Sequence, residues 1–166
     1  MMARWIRAGR IGPLEFDEAS RRLATAQPRH AAPILLWAES RGLLETQDHY
    51  AFALIAPLRL APGKRQRWRA WGLAPAAATY RQFGVPAYLD DGDLWLHGRR
   101  ISQSSAVAVG ECLVLCSSFL LQFPGSCVAT PSAALEQAFR LRLEAQHGWE
   151  FEHSWPSVAE AAIAVT

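Results

Sequence analysis

Lysine is almost absent from this chain. Only Lys64 is a lysine among the 17 basic residues, and the other 16 are arginines. This bias is typical of a high-GC genome, so we expect a bacterial source and some exchange of lysine for arginine by drift.

Charge is also scarce, because charged residues make up 19% of the chain and the formal net charge is only +2. So small a charge does not indicate a nucleic-acid-binding protein. The one basic cluster, residues 64–69, is typical of a solvated helix face, with a phosphate or acidic-partner site as the alternative.

Cysteine is scarce too, and there is no long apolar run. Cys112, Cys116 and Cys127 are the three cysteines, and their spacing fits neither a zinc site nor a paired disulfide framework. We therefore expect no metal and a reducing, cytoplasmic location. Residues 1–12 carry arginines but no apolar segment, so they do not resemble a signal peptide. The longest uncharged run, residues 112–135, is broken by serines and prolines, which argues against a membrane-spanning helix.

The apolar content, 51% of 166 residues, predicts a globular chain that forms one domain over residues 1–166. Hydrophobic periodicity predicts both strands and helices, hence an α+β fold. The sequence Asp90-Asp91-Gly92 is a strong hairpin signal. Pro75 is expected either to start a new helix or to kink the helix that contains it. The predicted strands cover residues 3–8, 33–37, 50–56, 85–89, 94–96, 101–109 and 112–121, and the predicted helices cover 14–26, 65–83, 132–146 and 158–165.

Four stretches, in order, resemble the biotin/lipoate protein ligases and their octanoyltransferase relatives. Residues 5–7 and 17–19 (Asp-Glu-Ala) resemble the family's first strand and the helix that follows it, and residues 34–37 resemble its next apolar strand. Residues 93–101, Asp-Leu-Trp-Leu-His-Gly-Arg-Arg-Ile, resemble the family's Asn-Asp-Leu-x-x-x-Gly-Arg-Lys-Ile from the Asp onward. Residues 116–120 fall where lipoate ligases carry His-Gly-Ser/Thr-Leu-Leu. The third stretch is the most specific of the four.

This resemblance implies a mixed, mostly antiparallel sheet with helices packed mainly on one face, like that of class II synthetases. It also implies a lipoyl, octanoyl or biotinyl group as ligand and an acyl-carrier domain, lipoyl or biotinyl, as partner. It suggests Asp93, Arg100, Gln103 and Ser104 as ligand-binding residues. Asp93 has an equally good alternative explanation, because Asp after Gly is common in turns for backbone reasons.

The residues that do the family's chemistry are altered in this chain. Arg100 occupies the position of the family's lysine, and a guanidinium cannot serve as a base or match the reach of a compact ammonium. Gln103 replaces a small residue, and Cys116-Ser117 replaces His-Gly. Only Arg41-Gly42 remains of the Gly-rich segment that would cradle an anion. We therefore expect no ATP binding and no adenylation, and the favoured hypothesis is a pseudo-enzyme that binds an acyl group or a partner.

Two alternatives remain open. The chain could be an active octanoyl or lipoyl acyltransferase in which Cys127 or Cys116 is the nucleophile, which would require a neighbour that lowers the thiol pKa or removes its proton. The simpler interpretation is that Cys112 and Cys116 are small core residues on one face of a strand, and that Cys127 is structural or incidental. The second alternative is an unrelated structural domain in which the similarity at 93–101 is chance.

Overall fold

A computed structural model describes residues 1–41, 48–120, 132–157 and 160. The described residues include three α-helices: α1 (Pro13–Thr25), α2 (Trp68–Gln82) and α3 (Ser132–His147). Single 3₁₀ turns at Leu58–Leu60 and Arg65–Arg67 precede α2. The strands are β1 (Met2–Arg10), β2 (Ile34–Arg41), β3 (Asp48–Pro57), β4 (Tyr88–Asp90), β5 (Asp93–Leu96), β6 (Arg99–Arg100), β7 (Ser105–Val109), β8 (Cys112–Leu120) and β9 (Glu150–His153).

Local sequence explains where the helices begin and end. α1 begins at Pro13, whose fixed φ and missing N–H suit the first helical position. α3 ends at Gly148, which adopts a φ of +72° and donates its N–H to the Glu144 carbonyl at 2.9 Å. Glycine takes this left-handed conformation without steric cost, which is why it closes so many helices.

The strands form two sheets. The larger has six strands in the order β7-β8-β3-β2-β1-β9, and the smaller has three in the order β4-β5-β6. In the larger sheet β1 runs parallel to β2 and β9, whereas the β2–β3, β3–β8 and β7–β8 pairs are antiparallel. The smaller sheet is antiparallel throughout. The sheets are therefore mixed and mostly antiparallel, as predicted.

The six-stranded sheet is covered on both faces, with two of the three helices on one of them. β3 is buried from Tyr50 to Pro57, as expected for a strand covered on both sides. Leu73 of α2 and Phe139 of α3 pack against one face, whereas Phe16 and Leu23 of α1 pack against the other. This arrangement confirms the predicted α+β class with helices mainly on one face. Among the described residues, no helix is long and apolar enough to cross a membrane.

Three details differ from the sequence prediction. Residues 101–104 are irregular, so the predicted strand 101–109 is reduced to β7. The preceding residues, Arg99 and Arg100, form β6 and pair with β5. Of the two alternatives predicted for Pro75, a new helix is wrong, because α2 runs through this residue. β9 was not predicted, since its four residues carry three ionisable side chains and lack an apolar alternation. The predicted helix 158–165 lies outside the described residues except for Glu160, which is helical.

Candidate functional site

Asp93 lies at the centre of a small ionic cluster. The β4–β5 turn places it there: Asp91 and Gly92 both take a positive φ, and Asp93 begins β5 with only 7% of its surface exposed. Its Oδ2 lies 3.6 Å from Nη1 of Arg69 and 3.6 Å from Nη1 of Arg100. Its Oδ1 is buried and has no hydrogen-bond partner among the described residues. A buried carboxylate oxygen normally has a donor, so this one is an unsatisfied acceptor.

Arg69 is a member of the cluster that the sequence did not predict. It belongs to α2, and its guanidinium lies over the hairpin turn so closely that a Cβ on Gly92 would be 2.9 Å from Arg69 Nε. Glycine at position 92 is favoured by its φ of +74°, and a side chain there would also displace the Arg69 guanidinium from the turn. In the sequence Arg69 was merely one of several basic residues in the 64–69 cluster. No local pattern distinguished it from them.

Arg100 reaches the same carboxylate from β6, and its side chain is 48% exposed. Two guanidinium groups thus share one carboxylate, which leaves one excess positive charge at the surface of the small sheet. A half-exposed guanidinium with free N–H groups can bind a carboxylate or phosphate in a bidentate manner. This chemistry is that of an anion-binding site.

A chain of serine hydroxyls connects this hairpin to the large sheet. Ser102 Oγ accepts the Leu94 N–H at 3.4 Å and lies 3.4 Å from Ser104 Oγ. Ser104 Oγ in turn lies 2.8 Å from Ser117 Oγ on β8. Ser104 and Ser117 therefore occupy one polar junction, whereas the side chain of Gln103, which lies between Ser102 and Ser104 in the chain, is exposed. The junction brings position 117, where the resemblance expects glycine, next to the segment that follows Arg100.

Cys116 points to the opposite face of the large sheet, away from Ser117. It packs with Cys112 and Val114 against the layer that α1 covers, as the alternation of β8 predicts. Burial raises the pKa of the Cys116 thiol to about 12, and the nearby Asp17 carboxylate raises it as well. Such a thiol is protonated at neutral pH and is a poor nucleophile. The structure therefore favours the core interpretation of Cys116 over the catalytic one.

Two other predicted features fall outside the described residues. Cys127 lies there, and so does Gly42 of the Arg41-Gly42 pair, the proposed remnant of the Gly-rich segment. Within the described ranges, no group of three or more histidine, cysteine or acidic residues is arranged to hold a metal ion.

The sequence matches no protein-family model and no curated protein. The fold, by contrast, is similar to solved ligases. A protein of Thermoplasma acidophilum described as a lipoate protein ligase, with bound lipoic acid, superposes with a TM-score of 0.77 at 10% identity, over 99% of this chain and 94% of that one.

Two further structures extend this similarity. One comes from an archaeal lipoylation system, a bi-partite lipoate protein ligase and its E2 lipoyl domain from Thermoplasma acidophilum. It has a TM-score of 0.78 at 9% identity, over 99% of this chain and 91% of that one. The biotin acetyl coenzyme A carboxylase synthetase of Helicobacter pylori, with bound biotinylated ATP, has a TM-score of 0.62 at 13% identity, over 87% of this chain and 75% of that one. The chain therefore has the fold of the biotin/lipoate protein ligases.

Proposed function

We propose that this chain is a cytoplasmic, single-domain pseudo-enzyme of the biotin/lipoate ligase fold. It binds an acyl group or its carrier but does not adenylate the acyl group. The single observation that carries the proposal is the engagement of Arg100 with Asp93, which Arg69 shares. Held beside Asp93, the half-exposed Arg100 can bind a preformed carboxylate, but its planar guanidinium does not match the reach of the compact lysine ammonium that would stabilise the charge developing on a reacting acyl phosphate.

Solved structures of the same fold support the choice of ligand. One holds lipoic acid and another holds biotinylated ATP. A lipoyl, octanoyl or biotinyl group is therefore the ligand we propose, with its carboxylate at the exposed guanidinium edge of Arg100. Ser104, Gln103 and Asp93 would supply the neighbouring polar groups. ATP is not part of this proposal, because the sequence keeps at most Arg41-Gly42 of the Gly-rich segment.

The proposed partner is an acyl-carrier domain. One of the similar structures is a lipoate protein ligase studied with its E2 lipoyl domain. A pseudo-enzyme that kept the carrier surface but lost adenylation would hold such a domain without modifying it.

Ligand binding is tested first by thermal stability. Lipoate without ATP should raise the melting temperature of the wild-type chain, because a ligand that binds only the folded state stabilises it. Arg100→Gln should weaken this effect about tenfold in apparent Kd, which corresponds to the loss of one charge-assisted hydrogen-bond pair. Arg99→Gln is the matched control, since Arg99 is the exposed neighbour on the same strand. Equal responses of the two variants would contradict a role for Arg100.

Activity is tested second. Wild-type protein incubated with ATP, lipoate or biotin, and an apo carrier domain should leave the carrier mass unchanged. Incubation with octanoyl- or lipoyl-loaded carrier should leave the mass of this chain unchanged as well. Carrier modification in the first assay would overturn the pseudo-enzyme proposal. A thioester adduct in the second that Cys127→Ala abolishes would establish the acyltransferase alternative instead.

A further inference from the structure

Trp5 of β1 lies between two arginines, well apart in sequence from the Asp93 cluster. The guanidinium carbon of Arg140 is 3.6 Å from the Trp5 ring centroid, and that of Arg7 is 4.6 Å away. The two arginines differ in their partners. Arg7 donates from Nε and Nη2 to the Glu136 carboxylate, at 3.2 Å each. Arg140 makes no direct ion pair or hydrogen bond in the described part of the chain, although the Glu136 carboxylate, one helical turn away, attracts it electrostatically.

Two buried donors in this cluster lack acceptors. Arg140 Nε and Trp5 Nε1 are both inaccessible to solvent, and neither has a hydrogen-bond partner in the part of the chain that the structure describes. Burial of such donors is costly unless an acceptor is supplied. With Arg7 neutralised by Glu136, the Arg140 guanidinium also leaves the cluster with one excess positive charge. An anionic oxygen acceptor would both satisfy the unpartnered donors and balance the excess positive charge.

A row of aromatic rings leads from this cluster to the surface. His153 of β9 packs edge-on against Trp5 with ring centroids 5.3 Å apart, and Trp155 packs edge-on against His153 at 5.2 Å. Trp155 is 75% exposed. A row that joins an incompletely paired arginine to an exposed tryptophan through two further rings has the composition of a protein-binding hot spot, in which tryptophan and arginine are enriched.

We propose that this row, Arg140, Trp5, His153 and Trp155, is a docking surface for an acidic segment of a protein partner, with an aspartate or glutamate carboxylate bound by Arg140. Carboxylate geometry matches the guanidinium fork, and stacking on Trp5 holds the fork in place. The exposed ring of Trp155 covers an apolar part of the same segment. The surface shares no residue with the Asp93 cluster and does not depend on the function proposed for it.

The test uses the full-length chain and a short poly-L-glutamate chain as probe, with binding followed by fluorescence anisotropy of labelled probe. Arg140→Gln should weaken binding about tenfold, equivalent to about 1.4 kcal/mol. Arg67→Gln is the matched control: it removes the same charge from the exposed 64–69 cluster and should leave affinity within about twofold, as expected for a distant surface charge. Equal losses of affinity in the two variants would mean that the probe responds only to the net charge of the protein, and would overturn the proposal.

Two further measurements distinguish a loss of probe binding from misfolding of the variant and from self-association of the chain. Trp5→Phe keeps the stacked ring but removes the Nε1 donor, so it should weaken binding about threefold with unchanged secondary structure. Unchanged affinity in Trp5→Phe and Arg140→Lys together would refute the stacked-fork geometry. A wild-type dimer in sedimentation that Arg140→Gln dissociates would show that a second copy of this chain occupies the surface, which also overturns the proposal.

Discussion

Glu160 provides the sharpest quantitative test of the structure. Its carboxylate accepts hydrogen bonds from Arg4 at 2.8 and 2.9 Å and from the Ser157 N–H at 2.8 Å, and it is also bonded to Gln27. Only 6% of the Glu160 side chain is exposed. This set of donors lowers the pKa of Glu160 from 4.5 to about 2, with the Arg4 hydrogen bond as the largest cause. The pair joins Glu160 to the first strand.

The magnitude follows from linkage between protonation and folding. Each unit of pKa is worth about 1.4 kcal/mol, so the shift corresponds to about 3 kcal/mol, and partial hydration of Arg4 reduces the expected value to about 2–3 kcal/mol. Because the folded-state pKa is lowered, this stability is fully present above pH 4.5 and is lost as the pH falls towards 2. We therefore expect Glu160→Gln to destabilise the protein by about 2–3 kcal/mol at neutral pH, and the difference from wild type to vanish in acid.

The assay is urea unfolding of wild type and Glu160→Gln between pH 7 and pH 2, followed by circular dichroism. Glu18→Gln is the control, because Glu18 pairs with Arg22 one turn away on an exposed face of α1. Such a pair is worth only about 0.2–0.5 kcal/mol. The reasoning would be refuted if the two variants lost similar stability at neutral pH, or if the Glu160→Gln deficit persisted unchanged at the acid limit.

Two further predictions concern the core of the helical layer. Phe139 is fully buried, and its ring centroid lies 4.6 Å from that of Phe52 and 5.1 Å from that of Phe119. Phe139→Ala should therefore lower the free energy of unfolding by about 3–5 kcal/mol, as measured by chemical denaturation. Leu141→Ala, on the exposed side of α3, is the control and should lower it by less than about 1 kcal/mol. His147 packs against both Trp71 and Trp149, which also contact each other, and burial lowers the His147 pKa below 6.5. The neutral imidazole is thus favoured by folding, and wild-type stability should fall as the pH drops below 6.5, down to the folded-state pKa. His147→Phe should remove that dependence, and an unchanged pH profile in this variant would contradict the assignment.

The hairpin around Asp93 illustrates how much of the candidate site the sequence predicts. The Asp90-Asp91-Gly92 turn signal locates the hairpin, because a positive φ at Gly92 is a local requirement, although β4 covers Tyr88–Asp90 rather than the predicted 85–89. The spacing from Asp93 to Arg100 then follows from two short strands and the turn at Gly98. The sequence could not show that Arg69 competes for the same carboxylate, since nothing in the pattern of α2 selects one arginine of the basic cluster over another.

Cys116 illustrates the opposite limit. The alternation of β8 predicts that it shares a face with Cys112, and the structure confirms this arrangement. Whether the thiol is reactive depends on its surroundings, which come from α1, nearly a hundred residues earlier in the chain. Burial against that helix and the proximity of Asp17 raise its pKa, and neither effect has a signature in the cysteine's own neighbourhood.

By itself, the sequence determined the local elements and the character of the fold, because turn residues, helix ends and hydrophobic periodicity act within a few residues of one another. The tertiary structure alone decided which charges meet. Glu136 lies on the buried side of α3, where helical periodicity favours an apolar residue, and it is stabilised there by Arg7, which is 129 positions away in the chain. Periodicity specifies which face a side chain occupies but not what lies across from it. Strand order and helix docking therefore created the Arg69–Asp93–Arg100 cluster, the Arg4–Glu160 pair and the unpaired Arg140.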